Sequence, residues 1–143
     1  MDKRPQSNKL PKNIKGDDLE FWKKYGTKLS NSSKYAKWIA NTKEHEDYPG
    51  QSLITRSHEV IKDWAGQRKA VPVTVPGTEH GKNLGVLRFT FPGYQSKNMA
   101  EVRWEDFFST FENRKLVFIF QEHLKNGNQS NFFKFDSPLD EDE

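Results

Sequence analysis

Apolar residues occur in short blocks along the chain, and their spacing switches between helical and extended periods. The clearest block is Trp104, Phe107, Phe108 and Phe111, at i, i+3, i+4 and i+7, which predicts one apolar face of a helix. Glu105 and Asp106 suit its positive N-terminal end, and Arg114 and Lys115 its C-terminal end. Leu116 to Phe120 is then apolar at every position, the pattern of a central strand covered on both faces. Asn126-Gly127 predicts a two-residue hairpin turn, because both residue types tolerate positive φ. Asn131 to Phe135 is its returning strand.

Upstream the blocks are shorter. Asp17 stands as a cap with Glu20 three residues later, a capping-box spacing. Leu19/Trp22 and Phe21/Tyr25 recur at helical offsets until Gly26. Tyr35, Trp38 and Ile39 predict a second short helix to about Asn41. Tyr48-Pro49-Gly50-Gln51 suits a type II turn. A third helix starts near Thr55, capped by Thr55 or Ser57, with Val60, Ile61, Trp64 and Ala65 as its stripe and Gly66 near its end. Val71, Val73 and Val75 alternate as a strand, and Pro72, which lacks an amide donor, places it at a sheet edge. Leu87, Phe89 and Phe91 form a second alternating strand before Pro92-Gly93, and Tyr94 to Ala100 reads as a polar loop. The sum is an α+β fold: an antiparallel sheet of about four strands, helices mainly on one face, and N-terminal helices in addition.

Composition makes this a ring-built core. Hydrophobic residues are 33% of the chain and aromatic residues 13%. Each ring can bury roughly 150–250 Å², so few residues close a modest core. A chain of 143 residues fits one domain, taken as residues 17–135. Residues 1–16 read as a flexible basic arm and 136–143 as an acidic tail. The net charge of +3 is the balance of a body at +8 and a tail at −5. A basic body attracts polyanions in general. The chain has no cysteine, which excludes disulfides and thiolate chemistry and fits a reducing cytoplasm. The first residues lack the apolar run of a secretory signal, and no segment approaches the roughly 20 apolar residues of a membrane span.

Candidate chemistry is sparse. All four histidines adjoin a glutamate, in Glu44-His45-Glu46, His58-Glu59, Glu79-His80 and Glu122-His123. Neighbouring side chains diverge on a strand or helix, so these pairs act together only if different elements converge. No metal-ligand spacing, phosphate loop or nucleophile elbow occurs, so no metal, cofactor or catalytic residue is assigned. Arg56, His58, His80, Arg88, Tyr94, Gln121 and His123 lie beside the predicted core elements and could rim a binding pocket or form a solvated face. Lys23, Lys24, Lys34 and Lys37 interleave with rings, which suits single-stranded nucleic acid. The same pattern also suits rings turned inward and lysines turned to water.

The stretches ITRSHEVIKDWA, PGTEHG, LGVLRFTFPGY, WEDFFSTF and QEHLKNGNQSNFFKF resemble a family of small, uncharacterised bacterial proteins, over most of residues 53–135. Some members carry a glucan-branching-enzyme label. This chain is too short for the barrel that such an enzyme needs and shows no paired-carboxylate motif of that class. The resemblance therefore implies a compact bacterial domain and assigns no functional residue. The sequence favours a non-enzymatic module that binds a macromolecule, with a protein partner ahead of nucleic acid and no membrane. The alternatives are nucleic-acid binding through the N-terminal region and a small metal-dependent or hydrolytic enzyme.

Overall fold

Two sheets and four helices enclose the rings. The structure is a computed structural model that describes residues 10–79, 81, 83–94 and 98–139. In chain order the elements are α1 (Gly16–Tyr25), a 3-10 turn (Gly26–Lys28), α2 (Asn31–Tyr35), β1 (Lys37–Trp38), β2 (Leu53–Thr55) and α3 (His58–Gln67). They continue with β3 (Val71–Val75), β4 (Val86–Thr90), β5 (Ala100–Glu101), α4 (Trp104–Asn113), β6 (Val117–Phe120) and β7 (Phe133–Asp136). A four-stranded sheet has the order β1-β2-β6-β7, and a three-stranded sheet the order β4-β3-β5. All pairings are antiparallel except β1 with β2.

The apolar run of β6 is explained by its position. Phe118 and Phe120 join Leu53, Phe135, Phe89 and the α3 and α4 stripes in the larger core. Val117 and Ile119 face the opposite way, onto Trp38, Ile54 and Leu29, with Phe21 and Trp22 of α1 packed over them. A strand covered on both faces has no polar side to show. The longer face is thus built by α3, α4 and the second sheet, and the N-terminal helices pack directly on the other.

Several local expectations are corrected. Tyr35, Trp38 and Ile39 do not share a helix: α2 ends at Tyr35, and Lys37–Trp38 extends as a strand beside β2. Trp38 and Ile39 are both buried while Tyr35 is exposed, a division that the extended chain allows. The capping box on Asp17 is not formed; the cap lies two residues earlier, at Lys15, with no side-chain cap bond. Ser57 does cap α3, accepting the Val60 N–H. Gly26 opens the 3-10 turn in a right-handed conformation; a Cβ there would lie 2.6 Å from the Trp22 ring.

Strand β3 is central, not at an edge. Its Pro72 carbonyl accepts from Val102 N–H on the β5 side. A residue's N–H and C=O point to the same side of an antiparallel ladder, so the missing Pro72 donor falls where the two-residue β5 ends. The hairpin after β6 turns through three residues. Gly127 N–H donates to Leu124 O and Leu124 N–H to Asn128 O, and Gly127 alone takes positive φ. This is a type I turn closed by a left-handed glycine.

The ends of the body differ from the expected boundaries. Pro11 is buried, Lys12 O accepts from Trp38 N–H, and Asn13 Nδ2 donates to Trp38 O at 2.7 Å. The segment before α1 is therefore part of the packed body from about residue 11, while residues 1–9 lie outside the described set. Asp136 ends β7 and accepts from Ser30 N–H and Ser33 Oγ, which ties the last strand to α2. Among the described residues no helix is long and apolar enough to cross a membrane.

Candidate functional site

Folding the N-terminal segment onto the first sheet creates a cleft between the starts of α1 and α3. Its volume is about 400 Å³, and Lys15, Gly16, Asp17, Asp18, Ala40, Arg56 and Ser57 line it. Arg56 lies at the junction of four elements. Its Nε donates to Leu116 O at 3.0 Å and its Nη2 to Glu112 Oε1 at 3.1 Å. The guanidinium stacks 4.3 Å from the Phe21 ring centre and 5.5 Å from Phe111. His58 takes the other oxygen of Glu112 through Nε2 at 2.7 Å and lies flat on Phe108, ring centres 4.0 Å apart. Glu112 thereby holds both Arg56 and His58.

The charges at the cleft are unevenly matched. Lys15 pairs with Glu44. Burial pushes Glu44 up, but the Ala40 N–H, Lys15 and Asn13 outweigh it and hold this carboxyl below its ordinary range. Asp18 has no hydrogen bond or ion pair with a described residue. Burial raises its pKa to about 6, against the pull of Arg56 and with Asp17 and Glu44 adding to the rise. A perturbed acid in a cleft is a functional-site candidate on physical grounds.

A second convergence joins the loop before β2 to the hairpin. His45 Nδ1 meets Glu122 Oε2 at 2.7 Å, and His123 Nδ1 meets Glu46 Oε2 at 2.5 Å. Glu46 N–H also donates to Glu122 Oε1 at 2.8 Å. The histidine–glutamate neighbours thus pair crosswise between segments 77 residues apart. Gly50, in the left-handed region as the type II turn requires, donates its N–H to His123 O, and its carbonyl accepts from Gln121 Nε2. Among the described residues no group of three or more His, Asp or Glu could hold a metal ion.

Arg68 braces this hairpin from α3. It is 7% exposed and offers its guanidinium to Ser130 O at 2.6 Å, Trp64 O at 2.9 Å and Glu122 O at 2.9 Å. It also lies 4.5 Å over the Trp64 ring. Burial lowers its pKa to about 10.

The residues singled out in the sequence therefore separate into groups. Arg56 and His58 meet at Glu112 beside the cleft. His123 belongs to the crossed pairs, and Gln121 donates to the Gly50 carbonyl beside them. Arg88 donates to the neighbouring Leu87 carbonyl on β4, and Tyr94 is exposed on the loop after it. His80 lies outside the described residues. Lys23 and Lys24 are exposed, Lys23 beside Glu20 and Lys24 over the Tyr25 ring, and Lys34 is half-buried on α2. Lys37 is held by Asp47 and the His45 carbonyl. Asp18, Glu112 and Arg68 are not legible as site residues: most groups that Glu112 and Arg68 hold are remote in sequence, and Asp18 is buried only when α1 packs; the nearest signal is the acidic pair Asp17-Asp18 at a helix start. No family model matches the chain, and neither a curated protein nor a solved structure matches it.

Proposed function

We propose that the chain is a non-enzymatic, cytoplasmic protein-binding module. The observation that carries this reading is the distribution of its rings. Three of the four tyrosines are exposed, Tyr35 at 76%, Tyr48 at 58% and Tyr94 at 74%, and Phe132 is exposed at 46%, while most other large rings gather in the two cores. An exposed tyrosine offers a large apolar area with a polar tip at low entropic cost, which suits contact with another protein. Nucleic-acid binding through Lys23, Lys24, Lys34 and Lys37 fits less well. Trp38 is fully buried and Lys37 is paired with Asp47, so the bases and rings do not form a joint stacking platform. For metal chemistry, no group of three or more His, Asp or Glu among the described residues could hold an ion, and each described histidine is paired through one ring nitrogen with a single carboxylate.

The immobilised chain should capture a defined partner from cell extract. The triple variant Tyr35→Ala, Tyr48→Ala, Tyr94→Ala should lose at least tenfold in that capture while keeping its circular dichroism spectrum. Equal capture by the triple variant would refute the reading. So would salt-sensitive binding of labelled DNA or RNA stronger than any protein capture, measured at two salt concentrations.

A further inference from the structure

We propose that the cleft between α1 and α3 binds a small zwitterion of amino-acid type, with its ammonium group at Asp18 and its carboxylate at Arg56. The cleft is lined by two cations and two carboxylates, and its volume of about 400 Å³ is at the small-ligand end of protein pockets, which run from roughly 300 to 1,000 Å³. Unused hydrogen-bonding capacity of both signs remains there. The Arg56 guanidinium is fixed through Nε and Nη2, leaving Nη1 without a hydrogen bond to a described residue. The Asp18 carboxylate likewise has no partner among the described residues, and it is more costly to leave so because it is partly desolvated.

A lone cation would be drawn to Asp18 and repelled by Arg56; a lone anion would meet the reverse. A ligand carrying both charges answers both groups. Phe21 and Phe111 hold the guanidinium plane, and Glu112 and Leu116 hold its far edge, so the anion-binding end is pre-set rather than assembled on binding. Lys15 is engaged by Glu44 at the rim.

The test is a titration of the ¹⁵N-labelled full chain at pH 7.5 with glycine, glycinamide and N-acetylglycine, which carry both charges, the positive one only and the negative one only. Glycine should shift the amides of Gly16, Asp18, Arg56 and Ser57 saturably, with an apparent Kd at least tenfold below those of the other two. In Asp18→Asn, glycine should lose its advantage over N-acetylglycine, whose own affinity should hold or rise as the repelling carboxylate is removed; that retained affinity shows that the cleft is intact. Glycine binding to the wild-type chain should weaken about tenfold between pH 7.5 and pH 5, as the Asp18 carboxyl, with its pKa of about 6, takes up its proton. Indistinguishable behaviour of the three probes, or no saturable shift with glycine, would overturn the proposal. Capture of a protein partner is a separate measurement, and its result stands whichever way this one falls.

Discussion

Replacing Arg68 by methionine should detach the hairpin from α3. Methionine keeps much of the aliphatic stem but removes every donor. Ser130 O, Trp64 O and Glu122 O then lose bonds of 2.6, 2.9 and 2.9 Å, and the Trp64 ring loses a cation 4.5 Å away. Hydrogen bonds from charged donors contribute about 1.5–3 kcal/mol each, so the gross loss is several kcal/mol. Two effects offset part of it. The variant no longer buries a guanidinium, and the hairpin carbonyls at Glu122 and Ser130 can reach water if the hairpin moves. A net cost of about 3 kcal/mol is expected, a large share of the roughly 5–15 kcal/mol that holds a domain together. Urea unfolding followed by tryptophan fluorescence measures the cost. Amide exchange of Leu124 and Ser130, whose N–H groups close the hairpin, locates it. A cost under 1 kcal/mol, or a larger one with those amides still fully protected, would refute the assignment of Arg68 as the brace.

Two further outcomes follow from backbone and charge. Lys115 ends α4 in the left-handed region at φ 55°, where a side chain costs about 1–2 kcal/mol. Lys115→Gly removes that strain but frees the unfolded chain by about 0.4–1 kcal/mol, so a gain near 0.5–1 kcal/mol should appear in thermal unfolding, and a loss would count against the cap geometry. Asp18 sets a pH effect. Its folded pKa of about 6 exceeds the ordinary 3.8, so between those values the folded state holds a proton that the unfolded chain releases. Its contribution is therefore present at low pH and lost as pH rises through about 6. Asp18→Asn should flatten the stability profile over pH 4–6 and gain up to about 1 kcal/mol at pH 7.5, the figure being reduced for solvent screening. An unchanged profile in parallel urea melts would show that the carboxyl is not desolvated.

What the sequence determined by itself is whatever local periodicity and elementary sterics can specify. The Trp104–Phe111 stripe needs only the helical repeat, and α4 forms there. The unbroken apolar run at Val117–Phe120 requires cover on both faces, and β6 has it. Ser57 caps α3, and Gly50 takes positive φ in its turn, because each depends on immediate neighbours. The tertiary structure decided what depends on remote partners. Trp38 and Ile39 fit a helical spacing, yet pairing of β1 with β2, burial of Trp38 against α1 and burial of Ile39 in the larger core outweigh so short a pattern. Pro72 tolerates a central strand because its neighbour on that side ends beside it. The cleft follows the same logic: Asp18 is a helix-start acid in sequence, and it becomes a partly buried one only when α1 docks beside Arg56. The crossed His45–Glu122 and His123–Glu46 pairs need a loop and a hairpin 77 residues apart to meet. Local spacing encodes which face of an element is apolar, but only packing determines which polar groups are brought together and which lose their water.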